Sequence, residues 1–400
     1  MMNSFFCKIV TPYTVEDFFN AYHEKDILHV QRNDKEHYSD ILTSLEISDF
    51  LDRQDVFYPS LRIVKNGKEI PSGEYTLKGV PIGHHKRDGI INTEKAFALF
   101  NDGGTFVIQA GQRYFDHLSA CCMELSRKFN APVQANLYIT PNRSQGFNPH
   151  WDTHDVFVLQ ISGTKTWHLY GFEKELPTKN QGFISKGYSK EPIQTIRLSP
   201  GDFLYVPRGY VHDAVADDGI SSHITIGILS FTWIRYFAEL FTQLENEKAF
   251  REAVPFWRDD LPDKIKEKTA LLKGTIDKLN VEDGIRKLTV QYEKLQPQLL
   301  NRYFESLLNL DDLSSSSVIS LNSTVFFERG GQEGNCFIKC FGKTIQFPQT
   351  LKPLIDFIFD TQSFTLRDLP GAADEDVKKA AIAKLIREGV VYIEADSSSN

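Results

Sequence analysis

The chain has 400 residues, more than one compact core usually holds, so two or three domains are expected. With 41% hydrophobic and 24% charged residues it has the composition of an ordinary globular protein, and a net charge of −8 argues against wholesale nucleic-acid binding. There is no long apolar run of membrane-spanning length, and Met1–Val10 lacks the pattern of a secretory signal, so no membrane attachment and a cytoplasmic location are expected.

In chain order, Thr14–Tyr22 carries a capping residue and helically spaced apolar positions, and Asp49–Asp52 is read as opening a second short helix. Ser60–Lys65 alternates like a strand and Gly103–Ala110 reads as another. Phe115–Phe129 reads as a helix with Leu118, Cys122, Leu125 and Phe129 on one face. From Ala131 to Phe231 short runs rich in Val, Ile, Tyr and Phe alternate with turn-forming clusters: Val133–Ile139, Asp155–Ile161, Lys165–Gly171, Gln194–Leu198, Phe203–Val206 and His223–Phe231. Strands at this spacing predict a sandwich or barrel, best matched by a double-sheet jelly roll.

After the N-capping Thr232 the pattern turns helical, with Ile234, Phe237, Leu240, Phe241 and Leu244 at helical spacing and further helices to about Leu310. Apolar faces this rich predict a dimer interface, the alternative being a helical cap on the jelly roll. Ser314–Ser317 reads as a linker. Beyond it, strands at Val325–Glu328 and Phe337–Phe347, helices at Thr350–Asp360 and Asp374–Arg387, and a strand at Val390–Glu394 suggest a small winged-helix unit. It lacks a lysine- and arginine-rich recognition face, so protein contact is expected of it rather than direct nucleic-acid binding. Cys336 and Cys340 fall in the strand pattern and read as buried thiols rather than half of a metal site.

The class expected is thus mainly β with helices (α+β). A catalytic domain over residues 1–231 would hold its jelly-roll core at about 131–231. A helical dimerisation domain would follow over 232–313 and a winged-helix domain over 318–396.

His150-Trp151-Asp152 is the single His-x-Asp of the chain. On a strand, residues i and i+2 share a face, so imidazole and carboxylate can meet at one metal ion. Two histidines and a carboxylate on one side of an ion leave positions open for a bidentate cosubstrate and dioxygen, as in non-haem iron(II) oxygenases. The second histidine is His212, which ends Gly201-Asp202-Phe203-Leu204-Tyr205-Val206-Pro207-Arg208-Gly209-Tyr210-Val211-His212, a turn, strand and turn that return the chain opposite the His-x-Asp. Lys165 shares a strand face with Trp167 and Leu169. Facing an apolar interior it needs an anion, for which the distal carboxylate of 2-oxoglutarate would serve. The alternative is a lysine at the rim reaching solvent.

Asn136-Leu137-Tyr138-Ile139-Thr140-Pro141, Gly146, His150-Trp151-Asp152, Asp155-Val156-Phe157-Val158-Leu159-Gln160 and Gly163-Thr164-Lys165-Thr166-Trp167 form one block of about forty residues. Together with the unit around His212 and the layout of the rest of the chain, this block resembles the ribosomal oxygenase group of JmjC-type enzymes, which have a cupin core. The resemblance implies that His150, Asp152 and His212 bind iron(II) and that Lys165 pairs with 2-oxoglutarate. It also implies that Tyr138 contacts the cosubstrate and Asn136 the pocket. Near the end of the last strand, where the group often has a serine, this sequence reads Thr225-Ile226-Gly227, so that contact is expected to be either missing or replaced by Thr225 or His223.

The activity implied is hydroxylation of an arginine or histidine side chain in a ribosomal protein or peptide, coupled to oxidative decarboxylation of 2-oxoglutarate by dioxygen, in a homodimer. The alternatives are hydroxylation of a biosynthetic precursor peptide, lysine demethylation, a zinc hydrolase and a cupin that binds without catalysis.

Overall fold

Each of the six strands expected between 131 and 231 is present in the computed structural model, which describes residues 4–181, 188–295, 302–322, 327–332 and 334–394. They are β5 (Val133–Thr140), β6 (Asp155–Ser162), β7 (Lys165–Phe172), β8 (Gln194–Leu198), β9 (Phe203–Val206) and β11 (Ser221–Ile228). A seventh, β10 (Tyr210–Ala216), carries His212 and was not expected as a strand. Earlier in the chain lie β1 (Leu28–Val30), β2 (Leu61–Lys65), β3 (Lys68–Glu69) and β4 (Thr105–Ile108).

Two antiparallel sheets result. The larger has the order β1-β9-β6-β11-β5-β4-β2-β3, the smaller β8-β7-β10. Strand parity explains the composition of the larger sheet. From β6 and β9, Phe157, Leu159, Phe203 and Tyr205 enter one apolar cluster with the N-terminal helix residues Phe6 and Phe18. The intervening Val156, Val158, Leu204 and Val206 enter another with Trp167, Leu169 and Ile196 of the smaller sheet. Strands buried on both faces read as continuous apolar runs, which these do. In β5 and β11 the parity is instead split by chemistry. Ala135, Leu137, Ile224, Ile226 and Ile228 join the outer cluster, and Asn136, Tyr138, His223, Thr225 and Gly227 line a cavity between the sheets.

The outer cluster is rich in aromatic rings. Phe18 meets Tyr205 edge-on at 4.9 Å and Phe157 at 5.6 Å between centroids. Burying each such ring is worth about 1.5–3 kcal/mol against leaving it exposed. The helix Asp116–Phe129 closes this side, with Leu118, Cys122 and Leu125 buried as its period predicts. One expectation is corrected here. The short helix runs over Ser44–Leu51, so Asp49 lies in its last turn; its start is set by a capping box between Thr43 and Glu46, which satisfies free N–H groups at the helix entry.

By packing, the chain divides into two units, Met1–Tyr292 and Glu293–Asn400. The first includes the helices Trp233–Phe241, capped by Thr232, and Leu261–Ile276. Several large apolar side chains of this region face solvent: Trp233 is 75% exposed, Phe256 80% and Trp257 77%. In the second unit one three-stranded sheet has the order Ser363–Thr365, Val318–Leu321, Val391–Ile393. A second is a meander of Glu328–Gln332, Asn335–Cys340 and Lys343–Pro348. Ile319, Ile338, Ile358, Ile382 and Leu385 form its core with the helices Lys352–Asp360 and Glu375–Arg387. Cys336 and Cys340 are buried, as expected. Of the strand expected at Val325–Glu328, residues 325 and 326 lie outside the described residues. Among the described residues no helix is long and apolar enough to cross a membrane.

Candidate metal and cosubstrate site

His150 is not part of a full strand. It forms an isolated antiparallel bridge with His212 of β10, and Trp151 and Asp152 continue without regular pairing. Convergence of the pair therefore depends on backbone pinning rather than on a strand's regular pleat. His150 N–H donates to the His212 carbonyl at 3.0 Å, His212 N–H returns to the His150 carbonyl at 2.8 Å, and Gly209 N–H donates to the Asp152 carbonyl at 3.0 Å.

The turn that delivers β10 is itself anchored. Asp155 is buried at the start of β6; its carboxylate accepts the Tyr205 hydroxyl at 2.9 Å and the Arg208 backbone N–H at 3.2 Å, while the Arg208 guanidinium pairs with Glu24. Gly209 has φ +84°, and a Cβ there would lie 1.9 Å from the Lys174 carbonyl oxygen, so glycine is required for conformation and for space.

The two imidazoles face each other with centroids 4.6 Å apart. His150 Nδ1 bonds the Asn148 carbonyl at 2.8 Å and His212 Nδ1 the Tyr210 carbonyl at 3.0 Å. A carbonyl can only accept, so each Nδ1 is the donor, which leaves each Nε2 as the nitrogen that can meet a metal. His212 Nε2 lies 3.7 Å from Asp152 Oδ2, and one ligand atom from each of the three residues falls within 4.8 Å of the others. Burial pushes the His212 imidazole down to about 4, helped by His150, so it stays neutral. Burial alone raises the Asp152 carboxyl, but His154, His150 and His212 together outweigh it and leave the group below its usual range. Neutral imidazoles and an ionised carboxylate are the forms that bind a metal. The donor set thus fits a divalent ion with one face left open.

The triad borders a cavity of about 350 Å³. Lys165, Tyr138, Asn136, Thr225 and His223 line the same cavity, so the site residues singled out in the sequence are brought together. Lys165 is 4% exposed, which removes the rim alternative. Its Nζ donates to Thr140 Oγ1 at 2.9 Å, and burial pushes the ammonium down to about 7. Among the described residues it has no carboxylate in ion-pair range. A buried cation without a counter-charge is costly, so this end of the cavity is built for an anion. Asn136 sits across from Thr225 in the β5–β11 register. Its carboxamide oxygen accepts from Gln109 Nε2 at 3.0 Å, Ala110 N–H at 3.0 Å and Gln134 Nε2 at 3.1 Å, which fixes its orientation. Burial and the charge of Asp152 push the Tyr138 phenol up to about 12.

Thr140, His154 and Arg62 were not singled out beforehand. Thr140 had a signal, since it follows Asn136 and Tyr138 at period two on β5. His154 and Arg62 had none: the first reaches the cavity from an irregular segment and the second from a distant strand. The His154 ring lies over Gly227, where a Cβ would come within 2.5 Å of it.

Residues 109–236, a stretch that holds the triad and Lys165, match the family described as JmjC domain. The match supports the JmjC part of the resemblance across the site. Among curated proteins, the chain is similar to the bifunctional lysine-specific demethylase and histidyl-hydroxylase NO66 of Drosophila persimilis, 31% identical over 220 residues, covering 55% of this chain and 31% of that protein. The protein of the same name from Dictyostelium discoideum is 29% identical over 257 residues, covering 62% of this chain and 48% of the relative. The matched part thus spans less than half of either relative. Among solved structures, the ribosomal oxygenase YcfD of Escherichia coli in complex with cobalt and 2-oxoglutarate aligns over 95% of this chain and 98% of its own with a TM-score of 0.52. At 15% identity that match speaks to the fold alone.

Proposed function

We propose that the chain is an iron(II)- and 2-oxoglutarate-dependent oxygenase that hydroxylates an amino-acid side chain, histidine or arginine, of a ribosomal protein or peptide. The observation that carries the reading is the pairing, in one cavity, of the His150–Asp152–His212 donor set with a buried lysine that lacks a carboxylate partner.

In this reading His150 and His212 present their Nε2 lone pairs, held by the Nδ1 bonds to the carbonyls of Asn148 and Tyr210, and Asp152 supplies the charge. Iron(II) and 2-oxoglutarate together supply the activation of dioxygen that C–H hydroxylation requires. Lys165 and Tyr138 hold the cosubstrate's distal carboxylate, while Asn136 and Thr225 shape the wall beside it. Trp167 and Phe147 pack against the ligand histidines, at 5.7 Å from His212 and from His150 respectively, and keep water from that side.

The domain roles belong to the same proposal: a catalytic domain over 1–231, a helical dimerisation domain over 232–313 and a winged helix over 318–396. The exposed Trp233, Ile234 and Phe237 favour a homodimer, because a contiguous apolar patch on a protein surface marks an interaction site. The names of the relatives, which include histidyl-hydroxylase, favour a protein substrate.

The test is anaerobic titration of the purified full chain with iron(II) and 2-oxoglutarate. A visible charge-transfer band at one iron per chain, lost in His150→Ala, is the expected result. A folded chain that gives no band overturns the reading.

A further inference from the structure

Beyond Lys165, the anionic end of the cavity holds two polar groups with no protein partner. His223 is 4% exposed, and its Nδ1 is buried without a hydrogen bond. Trp167 is also 4% exposed, and its Nε1–H is buried without an acceptor. Both line the cavity with Lys165. Their rings meet edge to face at 5.6 Å, and the His223 ring lies flat on Tyr138 at 4.9 Å with 7° between planes. The imidazole is therefore held by packing on both sides while its nitrogen chemistry is left unused.

A buried polar group without a partner costs about 1–3 kcal/mol, and a fold seldom keeps several such groups around one cavity without a ligand to satisfy them. Here the set is an indole N–H and an imidazole nitrogen without partners, beside a lysine ammonium that has one hydrogen bond, to Thr140, and no counter-charge. An apolar ligand would leave the two nitrogens unpaired and the lysine without a counter-charge, and a cation would be repelled by Lys165. A carboxylate has lone pairs enough for all of them.

We infer that His223, with Trp167 beside it, is a direct contact to the distal carboxylate of the 2-oxo acid. Lys165, His223 and Trp167 then form a three-donor seat that binds a dicarboxylate in its own right, before any metal is present. This rests on the function proposed above for the identity of the dicarboxylate, but the seat itself does not depend on the metal triad.

The experiment titrates succinate into the metal-free full chain by calorimetry, in wild type, His223→Phe and His223→Gln. Phenylalanine keeps the stacking on Tyr138 and removes the nitrogens; glutamine restores a hydrogen-bonding group. Wild type is expected to bind succinate, His223→Phe to bind at least tenfold more weakly, and His223→Gln to recover part of the loss. Circular dichroism establishes that each variant is folded, and Trp167→Phe serves as a second variant should His223→Phe not fold. Succinate affinity unchanged in the folded variants, or no binding by folded wild type, overturns the inference. Manganese(II) titration of the same proteins reads the triad separately. Manganese binding without His223-dependent succinate binding sinks only the seat, and the reverse sinks only the metal reading.

Discussion

His150 and His212 exchange both backbone hydrogen bonds, at 3.0 and 2.8 Å, although they are sixty-two positions apart in sequence. The main-chain positions of both residues are thus set by contacts that truncating either side chain leaves in place. Replacing either histidine by alanine is expected to leave the bridge intact. His212→Ala and His150→Ala should therefore keep a wild-type circular dichroism spectrum while losing manganese(II) affinity by more than about 100-fold, the upper range for removing even an outer-shell partner. A variant that binds manganese within tenfold of wild type would show that the residue is not a ligand.

Lys165 carries the opposite balance, since it serves a ligand at the expense of the empty fold. Its folded value of about 7 lies below the ordinary 10.5. Between those pH values the unfolded chain holds a proton that the folded chain does not, so stability rises with pH across that window. Below about pH 7 both states are protonated and the burial cost is present in full. Lys165→Met, of similar length and apolar, is expected to stabilise the metal-free protein by about 1–4 kcal/mol near pH 7. The advantage should shrink towards pH 10 and succinate binding should be lost. Denaturant unfolding at both pH values checks this, and an equal or lower stability for Lys165→Met at pH 7 would refute it.

The exposed face of the helix Trp233–Phe241 gives a third expectation. Trp233, Ile234 and Phe237 are all exposed on it. If two copies cover this face, the double variant Trp233→Asp and Phe237→Asp places two charges at the interface and should convert a dimer to a monomer by light scattering. The circular dichroism spectrum should not change. A wild-type chain that is monomeric at micromolar concentration would end the dimer proposal.

How far the sequence could be read depended on whether position followed from local pattern. The strands β5, β6, β7, β8 and β9 were legible because alternating or continuous apolar runs sat between turn residues. Lys165 was placed inward by parity with Trp167 and Leu169, and both of those are buried. β10 was missed because Pro207-Arg208-Gly209 reads as a turn and the following Tyr210–Ala216 mixes charged and apolar residues, His212 and Asp213 among them. On the face it shares with Tyr210 and Ala214 it carries His212 rather than an apolar residue, so hydropathy marks the strand weakly. The helix at Ser44–Leu51 was placed late because its start is set by the capping box of Thr43 and Glu46, upstream of the Asp49–Asp52 segment read as its opening. His154 was illegible, since its position follows from a glycine on another strand.

That glycine supports the last prediction. Gly227 has ordinary backbone geometry, so any residue could adopt its conformation, but a Cβ there would lie 2.5 Å from His154 Cδ2 and 2.7 Å from Nε2. Space for the imidazole is the reason for glycine at this point of β11. Gly227→Ser must push the ring aside, at a cost of about 1–3 kcal/mol typical of overpacking. The ring is one of the groups that lower the Asp152 carboxyl, so its displacement reaches the triad as well. His154→Ala should remove the clash, so the double variant Gly227→Ser with His154→Ala is expected to be less destabilised than the sum of the two single changes, with a coupling of about 1 kcal/mol or more. Denaturant unfolding of the four proteins measures that coupling. Strict additivity would mean that His154 does not fill the space over Gly227.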